Sequence, residues 1–143
     1  MDEMMISCGG SYDPAVLGAL NEIEKKEREA RRAAAYRPLI YICSPYSGDI
    51  EKNTARARAF CRFAVVKRAI PLAPHLLFPQ FMSEEKERSL ALFMGIVLLG
   101  KCDEIWVFGD HISEGMEGEI AKAKKMRKRI RYFTEAMEEI EHE

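Results

Sequence analysis

The chain has 143 residues, of which 48% are apolar and 31% charged, with a formal net charge of −1. The length suits one domain with a sizeable core, and the composition excludes a disordered chain. The near-neutral charge leaves no global basic field for a nucleic-acid polymer, and the longest apolar stretch, Ala91 to Gly100, is too short to span a bilayer.

Asp2 and Glu3 stand where a secretory leader would carry basic residues. The four cysteines, Cys8, Cys43, Cys61 and Cys102, show no CxxC spacing. Cys43 and Cys102 lie in or beside apolar runs and read as small core residues. These features lead us to expect a cytoplasmic protein with reduced thiols. His75, His111 and His142 are scattered without a zinc pattern, so no metal or other cofactor is expected.

Residues 1–12 read as disordered. Asp13-Pro14 supplies an N-cap and a proline at the first helical position, predicting a helix to about Tyr36. Its second half is highly charged and suits a solvated lead-in or an oligomerisation arm. Pro38 then opens "LIYICS", Leu39 to Ser44, which reads as a buried strand. "PYSGD", Pro45 to Asp49, is a turn-rich loop. Residues 50–68 read as a helix whose inner face carries Ala55, Ala59, Phe60, Phe63 and Val66. Ala69 to Pro74 predicts a second strand, and "HLLFPQFM" a loop. Ser83 can cap the next helix, with Glu84 and Glu85 at its positive end. That helix runs to about Gly100, and its apolar second half is expected to be buried. "EIWVF", Glu104 to Phe108, is a third strand, residues 114–128 a helix, and Ile130 to Phe133 a fourth strand. The tail from residue 135 reads as a short acidic helix or disorder. The expected organisation is a charged helical extension over 1–36, one domain over 37–134 and an acidic tail over 135–143.

Strands alternating with helices predict an α/β fold around a parallel sheet with right-handed crossovers. Such sheets bind ligands beyond the carboxyl ends of their strands. Two polar, glycine-bearing loops fall at that edge, "SPYSGD" after the first strand and "GDHISEGMEGE" after the third. In the second, Glu119 lies in the first turns of a helix, where dipole and free amides favour an ionised carboxylate. Such a group can attack an anomeric carbon. Ser113 and nearby amides can hold a phosphate, and Gly115 and Gly118 allow close approach of a ligand. Ordinary helix capping explains the same residues, so the spacing leaves both readings open.

Among the remaining polar residues, Tyr46 suits a pocket wall or a surface loop. His75 suits a structural role or contact with a ligand near neutral pH. Asp110 and His111, in the second loop, face the site in sequence terms but read first as turn residues, and Arg56 or Arg58 is placed to reach a phosphate or to face solvent. The basic run Lys122 to Arg131 fits a helix C-terminus better than a nucleic-acid patch. The Met and Phe cluster of Phe78, Phe81, Met82, Phe93 and Met94 reads as core, pocket wall or dimer contact.

"IYICSPYSGD", "CDEIWVFG", "SEGMEGEIAKA" and "RIRYF", spanning about Pro38 to Phe133, resemble the nucleoside 2-deoxyribosyltransferase-like superfamily. The resemblance is to an uncharacterised, partly phage-associated branch. It implies a Rossmann-like, flavodoxin-like sheet of four to five strands flanked by helices, here with an extra N-terminal helix. It also implies cleavage of an N-glycosidic bond in a nucleoside or its 5′-monophosphate, by hydrolysis or transfer, through a glutamate nucleophile. The implied partners are a small nucleotide or nucleoside and further copies of the chain, a homodimer or larger, with no membrane and no nucleic-acid polymer. Glu119 matches the family nucleophile. Ser113 matches the serine that nucleotide hydrolases use for phosphate, and Tyr41 an aromatic position in the first strand. Ser44, Ser47 and Gly48 match the loop for sugar or phosphate. With Tyr46, His75, Asp110 and Gly115 they form the expected binding set. The family's catalytic aspartate corresponds to Gly95, a departure that leaves a nucleotide-binding or sequestering protein as the alternative.

Overall fold

Leu39–Cys43 and Glu104–Phe108 are two of five runs that pair into one sheet in the computed structural model, which describes residues 13–141. The predicted disorder of residues 1–12, and His142 at the other end, lie outside the described residues. The chain divides into two units, Met1–Tyr36 and Arg37–Glu143. The first unit holds α1, Pro14–Ala35. The Asp13 side chain accepts from the Ala15 amide at 2.9 Å, as the capping signal predicted.

The second unit holds strands β1 (Leu39–Cys43), β2 (Ile70–Leu72), β3 (Glu104–Phe108), β4 (Arg129–Phe133) and β5 (Glu139–Ile140). Its helices are α2 (Ile50–Val66), α3 (Pro74–Leu77), α4 (Glu84–Lys101) and α5 (Glu114–Lys125). The strand order is β2-β1-β3-β4-β5. The first four strands are parallel and β5 is antiparallel to β4. The α/β expectation and its mostly parallel sheet are therefore present. The tail differs from the helix or disorder predicted for it, because Glu139 and Ile140 pair with Phe133 and Tyr132. Arg131 draws that strand in with a two-point ion pair to Glu139 at 2.7 Å. Asp103 locks the start of β3 to β1: its carboxylate accepts from the Leu39 amide at 2.8 Å and its amide donates to the Leu39 carbonyl at 2.7 Å.

Alternation along the strands divides the core in two. On one face Ile40, Ile42, Trp106, Phe108 and Phe133 pack with Phe60 and Ala64 of α2. On the other, Tyr41, Cys43, Ile105 and Val107 pack with Leu99 of α4 and with Met116, Ile120 and Ala123 of α5. The buried stripe of α2 is Ala57, Phe60 and Ala64. Of the predicted face, Phe60 is buried and Phe63 packs against the core, whereas Ala55, Ala59 and Val66 are exposed.

Two further expectations are corrected. "HLLFPQFM" is not plain loop, because α3 and a 3-10 turn over Phe78–Gln80 occupy it. Nor is α4 buried on all sides: only Gly95 and Leu99 are, and Phe93 is 65% exposed. A helix apolar around its circumference meets the sheet along one stripe alone, so the residues opposite remain at the surface. The connection after β1 leaves through α2 on one face, and that after β3 through α5 on the other. This reversal opens a crevice at the carboxyl ends of β1 and β3.

Candidate functional site

A cavity of about 620 Å³ fills that crevice, within the range of small-molecule sites. Its floor is Tyr41 and Glu119. Tyr41 points from β1 into the α4–α5 face and is 2% exposed. Its hydroxyl donates to the Glu119 carboxylate. The other oxygen of Glu119, Oε2, is buried without a hydrogen-bond partner. Burial pushes the Glu119 pKa up to about 7, against the lowering effect of the Tyr41 hydroxyl. The Tyr41 phenol is driven well above its ordinary value, by burial first and by the Glu119 charge second. A carboxyl group with one oxygen held, the other free and its pKa raised by burial has the chemistry that nucleophiles and general bases use, as do some structural groups.

Helix α5 places Glu119 here. Ser113 caps it, accepting from the Met116 amide at 3.3 Å. Met116, Ile120 and Ala123 bury the inner stripe. Position 119, next to that stripe, then faces the cavity together with Ser113, Gly115 and Gly118. Lys122, one turn further, lines it too.

The loop after β1 forms a second side. Asn53 holds it, its side-chain amide donating to the Tyr46 and Ser47 carbonyls at 3.1 and 3.0 Å. Gly48 turns the loop with a φ of 97°, a conformation that favours glycine. Asp49 then caps α2. Ser44 is 2% exposed, and its Oγ has no hydrogen-bond partner although the residue lines the cavity. A buried hydroxyl without a partner is costly unless a ligand or water meets it.

His75, from α3, closes the side. Its Nε2 lies 3.1 Å from the Ser44 carbonyl. A carbonyl only accepts, so Nε2 carries the proton and Nδ1 is the acceptor. Burial lowers the His75 pKa, which keeps the ring neutral at pH 7. Tyr46 stacks on it at 5.1 Å and 20° and hydrogen-bonds the Glu84 carboxylate. Glu84 opens α4, whose body supplies Arg88, Ala91, Leu92, Gly95 and Ile96 to the lining. The helix departs from regular geometry at Glu87, with φ −120°, because the Glu87 carboxylate reaches back to the Ser83 amide at 2.9 Å.

Of the residues expected from sequence, Tyr41, Ser44, Tyr46, Ser47, His75, Ser113, Gly115 and Glu119 line this one cavity. Gly48 and Asp110 are not among its lining residues. Gly48 shapes the loop instead, and Asp110 is an exposed turn residue. His111 is exposed as well, and Arg56 is taken by Glu135 at 3.1 Å. Glu84, Arg88 and Lys122 were missed as cavity residues. Glu84 was read only as a helix-end charge, although its place at a helix start beside the crevice was a usable signal. Among the described residues no cluster of side chains suits a metal ion, and no helix is long and apolar enough to cross a membrane.

Residues 38–133 match the model of a family described as a domain of unknown function, DUF7768. No curated protein matches the chain. Among solved structures, one described as a 2-deoxyribosyltransferase from the psychrotolerant bacterium Bacillus psychrosaccharolyticus is similar at 20% identity. The likeness covers 67% of this chain and 72% of that one, with a TM-score of 0.49.

Proposed function

The chain belongs to the DUF7768 family, and we propose from the geometry of its cavity that it cleaves or transfers at the N-glycosidic bond of a small nucleoside or nucleotide. The observation that carries this reading is the buried Glu119 carboxylate, tethered through one oxygen by Tyr41 with the other unpartnered. In this reading Oε2 attacks the anomeric carbon, the C–N bond breaks, and the base leaves with the bonding electrons. Water or a second base then resolves the glycosyl-enzyme. The Tyr41 hydroxyl orients the nucleophile and becomes its partner again when the ester is released. The chemistry asks for no metal or redox cofactor.

Ser113, the Gly115 backbone, Ser44 and Ser47 suit the sugar and a 5′-phosphate. Arg88 and Lys122, on facing helices, supply positive charge along the same cavity. A 5′-monophosphate is accordingly the proposed substrate class. The chain works as a homo-oligomer in this reading, with a second copy covering Leu90, Phe93 and Val97 on the outward face of α4.

A chromatographic assay for free base tests the proposal, using ribo- and deoxyribonucleoside 5′-monophosphates and the matching nucleosides. Base release from wild type and its loss in Glu119→Gln is the expected result. No release from any member rules the reaction out for these substrates. One observation favours the second reading, a nucleotide-binding or sequestering protein: Gly95 faces Tyr41 with no side chain that could serve as an acid. That reading predicts a ligand-dependent rise in melting temperature without product.

A further inference from the structure

Away from the Glu119 floor, the cavity has a wall with its own chemistry. The described molecule holds a second cavity on the other face, between Phe63, Trp106, Arg131 and Phe133, but its charged groups already serve one another. Arg131 is paired with Glu139, and Glu104 accepts from the Trp106 indole at 3.0 Å. The Tyr46 wall is different, because its polar groups are fixed from behind and left open in front.

The His75 ring is held by the Ser44 carbonyl. The Tyr46 ring lies almost parallel to it, 5.1 Å away, and Asn53 pins the Tyr46 backbone. Stacked on His75, the Tyr46 ring is a fixed aromatic surface lining the cavity, and such a surface takes planar heterocycles by stacking on its other face. Phe78, Met82 and Leu92 extend the apolar surface around it. The polar groups beside the shelf are acceptors. Glu84 offers a carboxylate that already holds the Tyr46 hydroxyl. His75, with its proton on Nε2, offers Nδ1. The Ser44 hydroxyl, buried and unpartnered, can also accept.

We propose that Tyr46, His75 and Glu84 seat the leaving group, and that they take a planar heterocycle with an N–H donor edge, such as an amino-substituted purine or pyrimidine. This rests on the glycosidic reading for the term "leaving group", but the binding claim stands apart from catalysis. Glu84 is the specificity-determining residue: a carboxylate facing a ring edge without a donor loses its hydrogen bond and gains nothing in return. The ring is held by stacking on Tyr46, which accepts any heterocycle.

The test is equilibrium titration of the full chain with two pairs of probes: adenine against N6,N6-dimethyladenine, and cytosine against N4,N4-dimethylcytosine. At least one amino-bearing probe should bind about tenfold more tightly than its dimethylated partner. Glu84→Ala should abolish that preference with the melting temperature little changed, since Glu84 is exposed. Tyr46→Leu should weaken both members of the pair alike. Equal affinities within both pairs, a preference that survives in Glu84→Ala, undiminished binding in Tyr46→Leu, or no binding of any probe each overturns the proposal. Base release by an enzyme whose affinities ignore Glu84 removes this wall alone. Glu84-dependent binding without base release removes the glycosidic reading alone.

Discussion

A Cβ on Gly95 would lie 3.5 Å from the hydroxyl oxygen of Tyr41, the one atom beyond its own helix backbone within 4 Å among the described residues. The helix therefore approaches the Tyr41–Glu119 pair closely without adding a group of its own. A methyl there makes an ordinary van der Waals contact, and alanine is the better helix former by about 0.5–1 kcal/mol. Gly95→Ala should fold and gain up to about that amount in urea denaturation. A loss of more than about 1 kcal/mol would show that the approach is tighter than the geometry says.

Glu119 couples stability to pH. Its carboxyl titrates near 7 when folded, against an ordinary value of 4.5. Below pH 4.5 the group is protonated in both states and burial costs little. Between 4.5 and 7 the folded chain keeps a proton that the unfolded chain has released, so stability falls as pH rises. Above 7 the whole cost is present. Glu119→Gln removes the charge and keeps an acceptor for Tyr41. The variant should exceed wild type by about 1–3 kcal/mol at pH 8 and match it at pH 4. Thermal melts across that range decide it, and a difference that does not change with pH contradicts the assigned burial.

The Tyr41 hydroxyl lowers the Glu119 pKa by stabilising its charge. Tyr41→Phe deletes that bond, so more of the carboxyl is protonated at any given pH. If Glu119 is the nucleophile, the acidic limb of the rate profile, expected near pH 7 in wild type, moves to higher pH. The rate at pH 7 falls about tenfold or more. A drop without any shift of the limb would make Tyr41 a positioning group only.

Phe93, Leu90 and Val97 leave an apolar strip on the outward side of α4. A second copy is the occupant we expect, because the same helix lines the cavity with its other side. Phe93→Glu should reduce the mass seen by light scattering at fixed concentration. It should leave the far-UV spectrum intact, since the residue is 65% exposed. A monomeric wild type refutes the expectation outright.

Arg131 covers Trp106 and Phe133, its guanidinium 4.8 and 5.4 Å from the two rings, while pairing with Glu139. It does not line the Glu119 cavity. Arg131→Ala should cost about 1–2 kcal/mol from lost cation–π contact and the tie to β5. Substrate turnover per folded molecule should be unchanged, which separates stability from chemistry by measuring both on one preparation.

The α/β alternation was legible in the sequence because period-2 and helical patterns are local. Leu39–Cys43 and Glu104–Phe108 are apolar runs between breakers, and Asp13, Ser83 and Ser113 cap where capping residues are expected. Glu119, Ser44 and Ser113 could be picked out because the loops at the carboxyl edge of a sheet are known once its strands are read as parallel. Tertiary structure decided the rest. The exposure of Ala55, Ala59 and Val66 on α2, the exposed side of α4 and the strand at Glu139 depend on which surface a neighbour covers, and that is a long-range fact. Glu84 joined Tyr46, and the Tyr41 hydroxyl met Glu119, only when residues far apart in the chain converged. Residue type states what a side chain can do. Burial raises the Glu119 pKa to about 7 against the lowering effect of a hydroxyl brought from elsewhere, and neither can be read along the chain.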